Sequence, residues 1–313
     1  MDDLSLRYED VKAATERVEG RVRPLAVAPG DDDARTWFAL EYLQHTGSFK
    51  ARGAINFIRS HQEAGTLPDA GVTIASGGNA GLACAWAARA QGVRATVFLP
   101  ESAPPVKVAR LRGYGADVRL TGLEYADALQ ACRAYAAGSG ALASHAYDHP
   151  LIAAGAGTLM EELHQRLPLL DTVVVSVGGG GLFAGVAASA HEHGVRVVAV
   201  EPEECRALNA ALEAGEVVDV PVRSVAADAL GARRVTRLAL DAARRYDVRS
   251  VLVPDEEITR ARQDLWDEHR IAVEHAASTA LAGLRAYGRA DGERVAVVLC
   301  GANTDPGDLT RPA

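Results

Sequence analysis

From residue 72 onward, short apolar runs alternate with Ala- and Leu-rich helical patterns, and a chain arranged in this way has few folds open to it. Strands separated by helices form βαβ units around a largely parallel sheet. The apolar runs place strands at 72–75, 95–99, 117–120, 172–177, 196–200 and 294–299, with helices at 81–91, 107–114, 125–136 and 182–193. Each strand runs out into small or polar residues. Ligands of open α/β sheets bind there, where loops present N–H groups and helix N-termini. Turn-rich patches at 65–71 and 138–140 bracket three or four of the strands. We therefore expect a large domain of residues 1–68 and 145–313 and a small inserted α/β domain of residues 69–144.

A chain of 313 residues can bury a substantial core. Its net charge of −8 and scattered arginines argue against a nucleic-acid partner. No run approaches the roughly 18 consecutive apolar residues of a membrane span, and the acidic opening Met1-Asp2-Asp3 is unlike a signal or transit peptide. Cys84, Cys132, Cys205 and Cys300 lie far apart, with no CxxC pair and no histidine at zinc-ligand spacing. Reduced thiols and a cytoplasmic setting are expected. The triplet Asp31-Asp32-Asp33, after Pro29-Gly30, reads as a solvated turn rather than a cation site.

Only three lysines, Lys12, Lys50 and Lys107, stand against thirty arginines. Arginine serves most surface roles but cannot lose its proton near neutrality, so a retained lysine can mark a need for a free amine. Lys12 sits in a charged stretch and Lys107 follows Pro104-Pro105 on an amphipathic pattern, so both read as surface residues. Lys50 differs: it lies in His45-Thr46-Gly47-Ser48-Phe49-Lys50-Ala51-Arg52-Gly53, between small polar residues and an apolar helix. The plainer reading is a helix start that happens to carry a cation.

Val175-Ser176-Val177-Gly178-Gly179-Gly180-Gly181-Leu182 places four glycines between a β-branched strand and a helix. Without Cβ atoms, successive N–H groups can converge on an anion at the positive end of the helix dipole, and phosphate is the expected occupant. A tight turn alone accounts for two of the four. Gly179, Gly181 and Ala184 also fit G-x-G-x-x-[GA], with Glu201 about 20 residues on as a ribose-binding acid would be, so a dinucleotide site stays open. Ala75-Ser76-Gly77-Gly78-Asn79-Ala80-Gly81 is a second strand, loop and helix start. Ser76 and Asn79 suit helix capping or the binding of a carboxylate and an aromatic hydroxyl. Cys300 closes the strand in Val298-Leu299-Cys300-Gly301-Ala302-Asn303, where a cysteine is ordinarily a small apolar filler.

Together these motifs make the chain resemble, from about Thr46 to Pro306, the fold-type-II pyridoxal-phosphate enzymes of the serine/threonine dehydratase and serine racemase group. The resemblance implies a two-lobed α/β architecture, tryptophan-synthase-β-like, with open, mostly parallel sheets flanked by helices, and a homodimer. It implies pyridoxal 5'-phosphate as cofactor and an amino acid as the small-molecule substrate. Lys50 matches the Schiff-base lysine and catalytic base, Phe49 the aromatic beside it, and Gly178, Gly179, Gly180 and Gly181 the phosphate cup. Asn79 matches the asparagine on the ring hydroxyl, Glu274 a family glutamate near the ring, and Cys300 the Ser or Cys against the pyridine nitrogen. Ser76, Gly77, Gly78, Asn79 and Ala80 match the loop that receives the substrate carboxylate.

The implied reaction is β-elimination of a β-hydroxy amino acid, threonine or serine, to a 2-oxo acid and ammonia. A neutral thiol at the pyridine nitrogen gives a moderate electron sink, suited to elimination. Gly77 stands where racemases of the group carry a second serine, which argues against two-base racemisation. Ala80 replaces a common histidine, and His145-Ala146-Tyr147-Asp148-His149-Pro150 departs from the usual Pro-Asn pattern, so 3-hydroxyaspartate or another β-substituted amino acid stays open. Some members bind a divalent cation near the phosphate; Glu201, Glu203 and Asp228 lie in that stretch but read as a solvated acidic surface. The end at Ala313 leaves no regulatory extension to expect. The competing readings are β-replacement on the same cofactor, a nicotinamide-dependent dehydrogenase, and a ligand sensor that has lost catalysis.

Overall fold

The computed structural model describes residues 6–31 and 34–310. Met1-Asp2-Asp3, Asp32, Asp33 and Ala313 lie outside the described residues. Asp31 does sit in a turn, its Oδ1 accepting from Arg35 N and Thr36 N.

The first third of the chain carries α1 (Tyr8–Val18), β1 (Val27–Pro29), β2 (Thr36–Ala39), α2 (Lys50–Glu63), β3 (Val72–Ala75), α3 (Asn79–Ala90) and β4 (Ala95–Leu99). Then follow α4 (Pro105–Gly113), β5 (Asp117–Leu120), α5 (Tyr125–Ser139), β6 (Leu142–Ala143), α6 (Pro150–Arg166), β7 (Thr172–Ser176), α7 (Gly181–Glu192) and β8 (Arg196–Pro202). The last third holds α8 (Ala207–Ala214), α9 (Ala227–Leu230), α10 (Arg237–Arg245), β9 (Val248–Val253), α11 (Asp255–His269), α12 (His275–Tyr287) and β10 (Val295–Val298).

Two sheets result. The larger has the order β1-β2-β10-β7-β8-β9 and the smaller β5-β4-β3-β6. Every pairing is parallel except β1 with β2. The central strands are runs of β-branched residues buried along their whole length, as Thr172-Val173-Val174-Val175-Ser176 is in β7, because helices cover both faces of a parallel sheet. Val297 of β10 stands between Val174 of β7 and Phe38 of β2. One apolar core surrounds the larger sheet, with Phe38, Leu159, Phe183 and Val198 in it, and a second, with Ile55, Phe57, Ile74 and Val97, lies under the smaller.

The strands read at 72–75, 95–99 and 117–120 have those bounds. The others differ by one or two residues, and helix α3 begins two residues earlier than read, at Asn79 itself. Strands β1, β2, β6 and β9 were not expected from the sequence. In β9, Val-Arg-Ser-Val-Leu-Val lies at the sheet edge and is mostly half-buried, so its polar residues break up the apolar run.

Helix α2 is anchored by charge inside the protein. Arg52, 0% exposed, donates from Nε and Nη2 to Glu41 Oε2 and Oε1 (2.9 and 2.7 Å) and from Nη1 to Glu162 Oε1 (2.6 Å). Burial disfavours the guanidinium charge, but Glu41 and Glu162 outweigh it and push the pKa above its ordinary range. A buried ion pair of this kind contributes little net stability, yet it fixes α2 against the turn at Glu41–Leu43 and against α6. The residue held in place by this anchor is Lys50, two positions away.

Candidate active site

The carboxyl ends of β3, β7 and β10 converge with the first turn of α2. Phe49 N donates to Cys300 O at 3.0 Å, Ser48 bridges Gly301, and Ala302 N donates to Gly47 O at 2.9 Å, so the lysine turn is stitched to the end of β10. Lys50 opens α2, with Nζ 3.0 Å from Ala146 O as donor and 4.7 Å from the Phe49 ring centroid. The residue as a whole is half-buried. Burial of its amine lowers the pKa from 10.5 to about 8, while Cys300 and Glu274 pull the other way. Lys12 and Lys107 are exposed, as their settings in the sequence led us to expect.

Cys300 is buried, with Sγ 3.8 Å from Ser176 Oγ at the end of β7. Burial pushes its thiol up to about 12, and the nearby Glu274 carboxylate adds to the shift. It is therefore a neutral thiol near pH 7. Burial also raises the pKa of Glu274, while hydrogen bonds from Asn79 and Asn303 counter the rise. Asn79 Nδ2 donates to both Glu274 oxygens, at 2.9 and 3.0 Å. Lys50, Asn79, Glu274 and Cys300 are thus brought together from four separate parts of the chain.

The glycine loop is crowded from outside. An added Cβ would lie 3.0 Å from Leu230 Cα at Gly178, 2.2 Å from the Tyr147 ring at Gly179 and 2.7 Å from Tyr147 O at Gly181. Gly180 has φ +95°, and its Cβ would lie 2.3 Å from Ala239 Cβ. Packing alone thus demands glycine at 179, 180 and 181 and leaves little room at 178, more than the two glycines that a tight turn would need. The opposite side of the loop carries the signature of an anion site. The N–H groups of Gly178, Gly179 and Gly180 make no hydrogen bond to a protein acceptor among the described residues, and they precede the twelve-residue helix α7. Ser48 Oγ, fully buried two residues before Lys50, is likewise without a partner. An amine of lowered pKa, unpaired N–H groups at a helix start and a neutral thiol fit pyridoxal phosphate.

The loop at Ser76, Gly77 and Gly78 precedes α3. Ser76 Oγ accepts weakly from Gly78 N at 3.4 Å, and Ala80 is buried in the first turn of the helix. At Gly77 an added Cβ would come 2.9 Å from Leu99 Cδ2, while at Gly78 it would meet open space.

The dinucleotide reading fails at its acid. Glu201 is fully buried and accepts from Leu208 N (2.7 Å) and Asn209 N (2.8 Å), capping α8, with its pKa pushed up by burial to about 7. No ribose can reach a carboxylate used in this way. Glu203 and Asp228 are exposed, and no group of three or more His, Cys, Asp or Glu side chains at metal-binding spacing exists among the described residues. The cation option therefore gains no support. No described helix is long and apolar enough to cross a membrane.

Several site residues went unrecognised in the sequence. Ala146 acts through its carbonyl and so carries no side-chain signal. Tyr147 was noted only as a departure from a pattern, yet its ring walls the glycine loop. Asn303 stood only at the end of the Cys300 segment with no role assigned to it, and nothing near Arg110 distinguished it from the other arginines.

A family model described as pyridoxal-phosphate dependent enzyme matches residues 21–301. The chain is 36% identical over 310 residues to an L-threonine ammonia-lyase of Geobacter sulfurreducens, covering 96% of this chain and 76% of that protein. It is 38% identical over 277 residues to a serine dehydratase-like protein of Rattus norvegicus, covering 84% and 83%. Among solved structures, maize serine racemase superposes with a TM-score of 0.90 at 25% identity, covering 97% of this chain and 96% of that one.

Proposed function

Because the chain belongs to the pyridoxal-phosphate-dependent enzyme family, we propose that it is a lyase that eliminates water from serine or threonine and hydrolyses the product, taking water up again, to a 2-oxo acid and ammonia. The observation that carries the reading is the Lys50 amine, with a pKa lowered to about 8, next to unpaired loop N–H groups and a neutral thiol.

In this reading Lys50 would hold the cofactor covalently and Gly178, Gly179, Gly180 and Gly181 would bind its phosphate. Asn79 would meet its ring hydroxyl, and Cys300, set against Ser176, its ring nitrogen. Bound there, the cofactor supplies a sink for the electrons released at the substrate's Cα. The Ser76 loop at the start of α3 binds the substrate carboxylate through N–H groups. Lys50 takes the proton from Cα as general base. Burial holds the pKa of this amine, when it is free, down to about 8, so a neutral base is within reach near neutrality. The electrons of the Cα–H bond become a Cα–Cβ double bond as the β-hydroxyl takes up a proton and leaves as water, and a second water then displaces the nitrogen as ammonia. Cys300 bears no charge near neutrality and adds none at the ring nitrogen, which favours elimination over amine transfer.

Residues 69–144, which hold the whole smaller sheet, form the small domain in this reading. A homodimer is part of it by family resemblance. A cytoplasmic setting is supported by four free, buried cysteines. The test is incubation of the protein, loaded with pyridoxal phosphate, with L-threonine and L-serine while 2-oxo acid and ammonia are measured, alongside Lys50→Ala. Equal production of both products by wild type and mutant, or none from either amino acid, would overturn the reading.

A further inference from the structure

Asn303 lies three residues beyond Cys300 and ties four parts of the site together. Its Nδ2 donates to Thr46 O and to Asn79 Oδ1, each at 2.7 Å, and its backbone N donates to Glu274 Oε1 at 2.7 Å. Its Oδ1 accepts from Arg110 Nη2 at 2.6 Å. Gly47, with φ +77°, makes room for this amide, since a Cβ there would lie 3.0 Å from Asn303 Oδ1.

A primary amide has a donating and an accepting end of nearly equal size, so its partners decide how it points. Arginine can only donate, which turns Oδ1 of Asn303 toward Arg110. The two hydrogens on Nδ2 then meet two oxygens, Thr46 O and Asn79 Oδ1. Asn79, its own oxygen engaged, must turn its Nδ2 toward Glu274, as the structure shows. We propose that Arg110, exposed on α4, is a positioning residue that sets the orientation of the Asn79 amide through Asn303, so that Asn79 offers the cofactor's ring hydroxyl a donor. The relay starts on the helix of the smaller-sheet unit and passes through the end of β10. Its effect on cofactor rests on the functional reading above; the amide orientation itself does not.

The test inverts the first partner. Arg110→Glu replaces a donor with an acceptor at an exposed position, sets it against Asn303 Oδ1 and so loosens the orientation of that amide. Arg110→Lys keeps the donor. The chain has four asparagines, Asn56, Asn79, Asn209 and Asn303, so labelling asparagine with nitrogen-15 gives four side-chain amide signals, assignable through Asn79→Ala and Asn303→Ala. In cofactor-free protein, Arg110→Glu should move the Asn79 and Asn303 signals and speed their hydrogen exchange about tenfold, the size of one hydrogen bond lost. Asn209 should not change, and Arg110→Lys should resemble wild type. Pyridoxal phosphate titration should show about tenfold weaker binding for Arg110→Glu, and that loss should vanish in the Asn79→Ala background.

Unmoved Asn79 and Asn303 signals would overturn the proposal even if cofactor binds normally. An equal affinity loss with and without Asn79 would also overturn it, since a long-range pull of Arg110 on the phosphate would then explain the effect. Signals that move in a protein that binds no pyridoxal phosphate would uphold the relay and sink the cofactor reading instead.

Discussion

The lowered pKa of Lys50 should be visible in the stability of the cofactor-free protein. An unfolded lysine titrates near 10.5 and the folded one near 8. Below pH 8 the amine is charged in both states, and the fold carries the full cost of enclosing that charge. Between 8 and 10.5 the folded amine is neutral while the unfolded one still binds a proton, so stability rises with pH. Above 10.5 the cost is gone. At about 1.36 kcal/mol per pH unit the whole change is about 3 kcal/mol, an upper bound because the side chain is only half-buried. Lys50→Met has no such proton, and its loss of the bond to Ala146 O is independent of pH. Urea unfolding of both proteins from pH 7 to 11 reads the effect, since titrations of groups that do not interact with Lys50 cancel in the difference. Wild type should gain on the mutant by up to about 3 kcal/mol, mostly between pH 8 and 10.5. A difference that stays flat across this range would show that the amine is not enclosed as described.

Arg52→Met should cost about 3–5 kcal/mol in urea unfolding by leaving the Glu41 carboxylate, 1% exposed, without its counter-charge; adding Glu41→Gln should recover much of it, and no recovery would refute the ion-pair explanation. Gly179→Ala should cost about 1–3 kcal/mol and weaken pyridoxal phosphate binding because of the Tyr147 ring 2.2 Å from the new Cβ; Tyr147→Ala should restore both, as read by thermal melts and cofactor titration. Wild type should give no D-serine from L-serine, whereas Gly77→Ser, whose Cβ displaces only the terminal methyl of Leu99, should fold and form D-serine detectable by chiral chromatography.

The parts of the site legible in the sequence are those where local chemistry is unusual. A lysine in an arginine-rich chain, four glycines in a row and Asn79 at a helix start each stand out within a window of ten residues. The parts that were not legible depend on distant partners. Arg110 meets Asn303 across 193 positions and Asn303 meets Asn79 across 224, and neither pairing leaves a local trace. Arg52, quoted only within the Lys50 segment, shows its part once Glu41 and Glu162 are seen around it. Glu201 misled for the same reason: its spacing suited a ribose, but the fold turned it inward to cap a helix whose own N-cap, Arg206, makes no side-chain cap hydrogen bond. Among the strands, those inside the alternation of apolar runs and helices were found, the exposed edge strand β5 included, whereas β1 and β2 precede that alternation, β6 is only two residues long and β9 has its apolar run broken by Arg249 and Ser250.

Strand β10 is the last strand among the described residues, yet it lies between β2 and β7 in the middle of the larger sheet. While the protein is being synthesised, β2 and β7 must therefore wait with unpaired edges until some 300 residues have been made, a slow, non-local closure. The same late segment brings Cys300, Gly301 and Asn303 to the turn before Lys50. A nascent or truncated chain lacking it should have a lysine of ordinary basicity and no site for the cofactor. Capture of pyridoxal phosphate would then mark a chain whose larger sheet is closed, protecting it from degradation at the moment β10 is inserted.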